Sequence, residues 1–316
     1  MHIVGQNVGL NQPLAVGVPV EIAFDRLLDP SSVTRQTFVL QDLQGNYVEP
    51  TPSYDPVARV VRLCFTNEPA TLQPDQSYRL TILSPQDAGD PSGLRAIDGA
   101  ELDPSANPVI EFPVVAATGA GYTGSDACVG ASPVDFCSQV FPIFTSKCGG
   151  SVCHAGTLPA AGLQMTTTSG ILATAIGRVA QGSNTGDQSQ AAPPGIVFGV
   201  DMPIIGTGDP GNSWLMYKLL LAEPPACSST PGAAACDAGA PGIEDNRYPS
   251  VTPAWTLISD SERATLSNYV LGREMPYPVD PSAPLDSATT PLTGDELDTV
   301  STWIQQGAAV PQAGCP

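Results

Sequence analysis

The stretch "VGVPVEIAFD", Val16 to Asp25, alternates with a period of two. Val18, Val20, Ile22 and Phe24 fall on one face of an extended chain. That pattern predicts a strand with one face in a core. "TFVLQD" (37–42), "ARVVRLCFT" (58–66), "SYRLTIL" (77–83) and "PVIEFPVV" (108–115) follow at short intervals. Turn signals separate them: "LDPSS" (28–32), "LQGN" (43–46), "SYDP" (53–56) and "LQPDQ" (72–76). Short strands so spaced predict an all-β sandwich over residues 1–117. In "ARVVRLCFT", Val61, Leu63 and Phe65 face the core. Cys64 then points the other way, toward any cysteine outside the sheet.

The remainder of the 316-residue chain has a different character. "AATGAGYTGSDACVGASP" (116–133) is rich in small residues and reads as linker, placed at 118–136. Residues 137–316 read as a second domain, mainly α with long loops. "DFCSQVFPIFTSKC" (135–148) puts Val140, Phe141 and Phe144 at helical spacing. "SDSERATLSNYVLGREMP" (259–276) and "TGDELDTVSTWIQQGA" (293–308) each open with a capping box, Ser259 with Glu262 and Thr293 with Glu296. The two match position by position: Leu266 with Val300, Tyr269 with Trp303, Val270 with Ile304. "GDPGNSWLMYKLLLA" (208–222) predicts a further helix capped by Asn212 or Ser213. "ACSSTPGAAACDAG" (226–239) is a loop bracketed by Cys227 and Cys236, which would close a hairpin disulfide.

Composition removes several functions. Asp and Glu number 31 against 12 Lys and Arg, a formal charge of −19, and the only lysines are Lys147 and Lys218. Such a chain has no basic face to neutralise phosphates, so nucleic-acid binding is excluded. An acidic surface suits solubility and steers a basic protein partner. No run of 18 apolar residues predicts a transmembrane helix. Eight cysteines suggest disulfides and an exported protein. "MHIVGQNVG" has neither a charged n-region nor an apolar h-region, so a leader peptide is expected to be absent from this chain.

The chemistry concentrates in "SKCGGSVCHAG", Ser146 to Gly156. It approaches the haem-attachment pattern C-x-x-C-H, with four residues between Cys148 and Cys153 in place of two. Two thiols can add across two vinyl groups while the next residue, His154, reaches iron from the same side. Gly149 and Gly150 would let the extra residues bulge. A Cys148–Cys153 disulfide or a metal knuckle are the other readings. Zinc lacks further His or Cys-x-x-Cys ligands nearby, and the spacing excludes a redox Cys-x-x-Cys. A sixth haem ligand is often Met. Met165 and Met216 read as packing residues; Met202 and Met275 both precede proline, and Met275 follows a helix late in the chain.

Two resemblances organise these readings. "VEIAFDRLLDPSSVTRQTFVLQD", "YDPVARVVRL", "LQPDQSYRLTI" and "AIDGAEL" resemble the bacterial Ig-like domains of S-layer and other surface proteins. This implies an exported spacer or docking module. "VFPIFTSKCGGSVCHAG", "GLQM", "GTGDPGNSWLMYKLL", "LSNYVLGREMPYP" and "LTGDELDTVSTWIQQGA" are similar, in order, to the class I cytochrome c-like domains of exported bacterial proteins. The resemblance implies one covalent haem c held by Cys148 and Cys153. It makes His154 the proximal iron ligand and Met275 the distal one, with Met202 the alternative. It also implies one-electron transfer without enzymatic catalysis, and crossed first and last helices with Phe141 or Phe144 near Trp303. The domain is longer and its cysteine spacing wider than the family's. A haemless surface or adhesion protein with a stapled, cytochrome-like domain is the competing expectation.

Crossed terminal helices would make Cys137 and Cys315 neighbours, hence a disulfide. Cys64 and Cys128 then remain, tying the Ig-like part to the linker. Haem attachment and disulfides imply an extracytoplasmic place, periplasm or cell surface. Onward transfer would need a redox partner in the cell envelope, or self-assembly.

Overall fold

The structure, a computed structural model, describes residues 1–65, 72–86, 92–103, 108–116, 133–150, 153–180, 198–199, 201–223, 258–280, 282–284 and 286–316. Among them the strands are β1 (Ile3–Gln6), β2 (Leu14–Ala15), β3 (Val20–Phe24), β4 (Phe38–Asp42), β5 (Tyr47–Val48), β6 (Thr51–Asp55), β7 (Val60–Cys64), β8 (Ser77–Ile82) and β9 (Val109–Val115). They form two sheets, ordered β1-β3-β7-β6 and β2-β9-β8-β4-β5. Pairing is antiparallel except between β2 and β9. Ile22 and Phe24 of β3, Leu63 of β7, Leu40 of β4, Leu80 of β8 and Phe112 of β9 share one buried cluster. This is the inward set expected from the alternation, because a period of two sends every second side chain the same way.

β6 runs through "SYDP", where a turn was expected. It carries Pro52 and pairs only with β7, at the edge of its sheet. An edge strand tolerates a residue that cannot donate to a ladder.

Among the described residues the second half supplies the helices α1 (136–148), α2 (Thr168–Thr174), α3 (Trp214–Leu220), α4 (Asp260–Leu266) and α5 (Gly294–Gln305), besides two short 3-10 turns. Both capping boxes are formed, at Ser259 with Glu262 and at Thr293 with Glu296. α4 stops at Leu266, short of its sequence pattern, yet Tyr269 and Val270 stay buried in the turn beyond. Ser213 occupies the N-cap position of α3 without bonding the helix; its hydroxyl donates to Asp209 O and accepts from Gly206 N. α1 and α5 meet through aromatic rings. Phe144 packs edge-on to Trp303 at 5.7 Å, and Phe136 lies 5.4 Å from the same ring. Phe141 reaches only Phe136, at 5.6 Å. A disulfide joins Cys137 at the start of α1 to Cys315, with Cα atoms 5.3 Å apart. Cys64 is also disulfide-bonded. Cys128, its expected partner, lies outside the described residues, as do Cys227 and Cys236.

The outer face of the β1-β3-β7-β6 sheet is covered at β3, β7 and the end of β6, where residues of the second half bond to it. Every residue of β3 and β7 is buried on both faces. Glu21 stands opposite Arg62 in the ladder, and Arg62 Nε donates to Glu21 Oε1 at 2.9 Å. Arg62 Nη1 also donates to Gln305 Oε1 of α5 at 2.8 Å and lies 3.7 Å from Asp55. Ser301 of α5 donates to Asp55 Oδ1 at 2.9 Å. Farther along, Tyr54 N donates to Asp209 at 3.0 Å, and Glu262 accepts from Leu27 N and Arg59 Nη2. Buried charges persist only when paired and bonded, and this set satisfies that condition across the two halves. Gly211 allows the close approach: a Cβ there would sit 2.7 Å from Tyr54 Cβ and 2.8 Å from its carbonyl oxygen.

Candidate functional site

α1 delivers the first thiol. Asp135 caps it by accepting from Ser138 N at 2.8 Å, and Val140, Ile143 and Phe144 bury its inner face. Its turns are wide at 136–140 and 144–148, a helical form often found at functional positions. The helix ends on Cys148, and the next residue has to be glycine. A Cβ on Gly149 would lie 2.3 Å from Thr145 O and 2.6 Å from Thr166 Cγ2.

The backbone then turns back on itself. Cys153 N donates to Gly150 O at 2.8 Å, and His154 N donates to Cys148 O at 3.0 Å. The wide spacing is thus closed by main-chain bonds that return His154 to the end of α1. Residues 151 and 152 lie outside the described set. Two further bonds hold the returning strand: Ala160 N to Cys153 O and Met165 N to His154 O, both 2.8 Å. His154 Nδ1 lies 3.1 Å from Ala160 O. A carbonyl only accepts, so Nδ1 carries the proton and Nε2 keeps its lone pair.

Cys148, Cys153, His154 and Met275 all line one cavity of about 490 Å³. Its walls are mostly apolar, with Leu163, Met165, Ile204, Trp214, Leu215 and Leu219 among them. Met202 is not on the wall; it is buried against the backbone at Gly199. Met165, read from sequence as packing, is fully buried and faces the cavity. Both lysines of the chain line it too, Lys147 bonded to Thr290 O at 3.2 Å and Lys218 to Leu271 O at 3.1 Å. Their rarity in an acidic chain was the only sequence signal, and it does not indicate burial.

Burial sets the charge state of this wall. It pushes the Cys148 thiol up to about 12, so that sulfur is protonated and is not a thiolate. It lowers His154, which keeps the imidazole neutral, the form that binds metals. It lowers Lys147, and brings Lys218 down to about 8. The site therefore presents two free thiols, a neutral imidazole and a thioether to an apolar space. Thiols can add to activated carbon–carbon double bonds, and imidazole and thioether are donors to transition metals. No group of three His, Cys, Asp or Glu side chains that could hold a metal ion occurs among the described residues. No helix of the described residues is long and apolar enough to cross a membrane.

No family model matches the chain, and no curated protein matches it. Among solved structures it is similar to the S-layer protein rSbsC, at 13% identity and a TM-score of 0.26, over 37% of this chain and 15% of that one. It is also similar to the N-terminal part of the bacterial S-layer protein SbsC, at 14% identity and a TM-score of 0.24, over 32% and 23% respectively. The chain thus spans under a quarter of either structure, and likenesses this slight carry no argument about fold or function.

Proposed function

We propose that this protein is an exported c-type cytochrome that moves single electrons through one covalently held haem. The observation that carries the reading is the convergence of Cys148, Cys153, His154 and Met275 on one apolar cavity, although Cys148 and Met275 are far apart in sequence. Its volume of about 490 Å³ falls in the range of cofactor pockets, ~300–1,000 Å³. When bound, haem would supply a one-electron iron couple. The chain's own residues do the rest. Cys148 and Cys153 would hold the haem covalently through their sulfurs. His154 offers Nε2, its ring oriented by Ala160 O. Met275 would offer its sulfur, and the apolar wall would keep water from the site.

The free thiols and the cavity favour this reading over a haemless, stapled surface protein. The Cys137–Cys315 bond and the bonded Cys64 support an extracytoplasmic site, periplasm or cell surface. In this reading the Ig-like part is a docking element for a partner in the envelope, or for a second copy. The buried polar contacts with α5 hold that part against the second half of the chain, which argues against a free spacer.

The test is to express the protein with an export leader and the haem-attachment machinery, then record its absorption spectrum and intact mass. A reduced α-band and one haem of added mass are expected. Cys148→Ser and Cys153→Ser should each lose one covalent link, and Met275→Ala should alter the ligand spectrum. Protein emerging haem-free under these conditions would sink the proposal.

A further inference from the structure

Lys218 is the middle of an otherwise apolar turn of α3, "LMYKLL", every residue of which is buried. Leucine would fill that position at less desolvation cost, because a buried ammonium must be satisfied in full. Lys218 is satisfied by main-chain carbonyls. Its Nζ donates to Leu271 O at 3.1 Å and to Arg273 O. Its own carbonyl accepts from Met275 N at 3.0 Å. One residue therefore makes three bonds to a five-residue segment, 271–275, and both Lys218 and Met275 line the cavity. The end of α3 is itself pinned to α4, where Arg263 Nη1 donates to Leu220 O and Ala222 O. The platform under the clamp is thus fixed.

We infer that Lys218 is a positioning residue whose ammonium folds the 271–275 segment and so presents the Met275 sulfur to the cavity. It touches no reacting atom; it acts through the carbonyls it gathers. The link to iron ligation rests on the haem reading above, while the clamp itself does not.

The experiment separates the two. Amide hydrogen exchange is measured on the purified full chain for wild type, Lys218→Met and Lys218→Gln, with far-UV circular dichroism as the folding control. Removing two charge-assisted bonds should loosen the segment and speed exchange of the Met275 amide, which donates to Lys218 O, on the order of tenfold in Lys218→Met. Lys218→Gln, able to bond one carbonyl, should fall between and covers the case in which the methionine variant does not fold. On haem-loaded protein, Lys218→Gln, which brings no sulfur to the cavity wall, should weaken the thioether-ligand signature and lower the reduction potential, the direction expected of Met275→Ala, whereas Lys218→Arg should retain both. Wild-type exchange at the Met275 amide in both neutral variants overturns the inference whatever the spectra show. Faster exchange in a chain that never binds haem upholds the clamp and refutes only the cytochrome reading.

Discussion

Replacing Arg62 by Met tests whether the two halves stand or fall together. The arginine is almost fully buried and binds Glu21 within its own sheet and Gln305 on α5. Methionine keeps the aliphatic volume and removes the charge. Glu21 and Asp55, each about 1% exposed, then lose their shared cation. Deleting one partner of a buried pair costs about 3–5 kcal/mol, because the other charge stays out of water. For a large chain each kcal/mol lowers the melting midpoint by about 2 °C, so a fall of about 6–10 °C is expected. Thermal and urea unfolding measure it. Adding Glu21→Gln should recover part of the loss, with a coupling of about 0.5–3 kcal/mol. Hydrogen exchange should quicken in α5 as well as in β3 and β7, because Gln305 loses its donor. A loss below about 1 kcal/mol, or exchange that changes in the strands and leaves α5 as it was, would refute the reasoning.

Two other perturbations probe the same seam. Burial raises Asp209 to about 6, above its unfolded value of about 3.9. The folded state therefore holds the extra proton, and this contribution to stability is full below pH ~4 and lost as pH rises through ~6. The unfolding free energy from urea titrations between those values should fall with pH in wild type, by at most about 1.4 kcal/mol per pH unit, and the fall should flatten in Asp209→Asn; equal slopes would discard the assignment. Gly211→Ala should destabilise by about 1–3 kcal/mol, since its Cβ would meet Tyr54 on a strand that cannot retreat. Wild-type stability in that variant would mean the seam is looser than drawn.

The alternation in "VGVPVEIAFD" determined that β3 exists and which side chains face the sheet-to-sheet core. Capping residues at Ser259 and Thr293 likewise fixed two helix starts, since a cap is a bond within four residues. Adjacency of Cys153 and His154 singled out a loop that lines the cavity. Periodicity reports which residues share a face; it says nothing about what covers the other one. Glu21 and Arg62 stand at polar positions of their strands, yet both are buried, and Arg62 reaches α5. Arg62 meets Gln305 across 243 positions, and Asp55 meets Ser301 across 246. The same holds at the cavity. The sequence singled out Cys148, Cys153, His154 and Met275 one by one. Tertiary structure alone brought them to one apolar space, chose Met275 over Met202 for its wall, and buried both lysines beside them. Contacts of that range depend on how whole elements pack, and no local pattern of side chains encodes them.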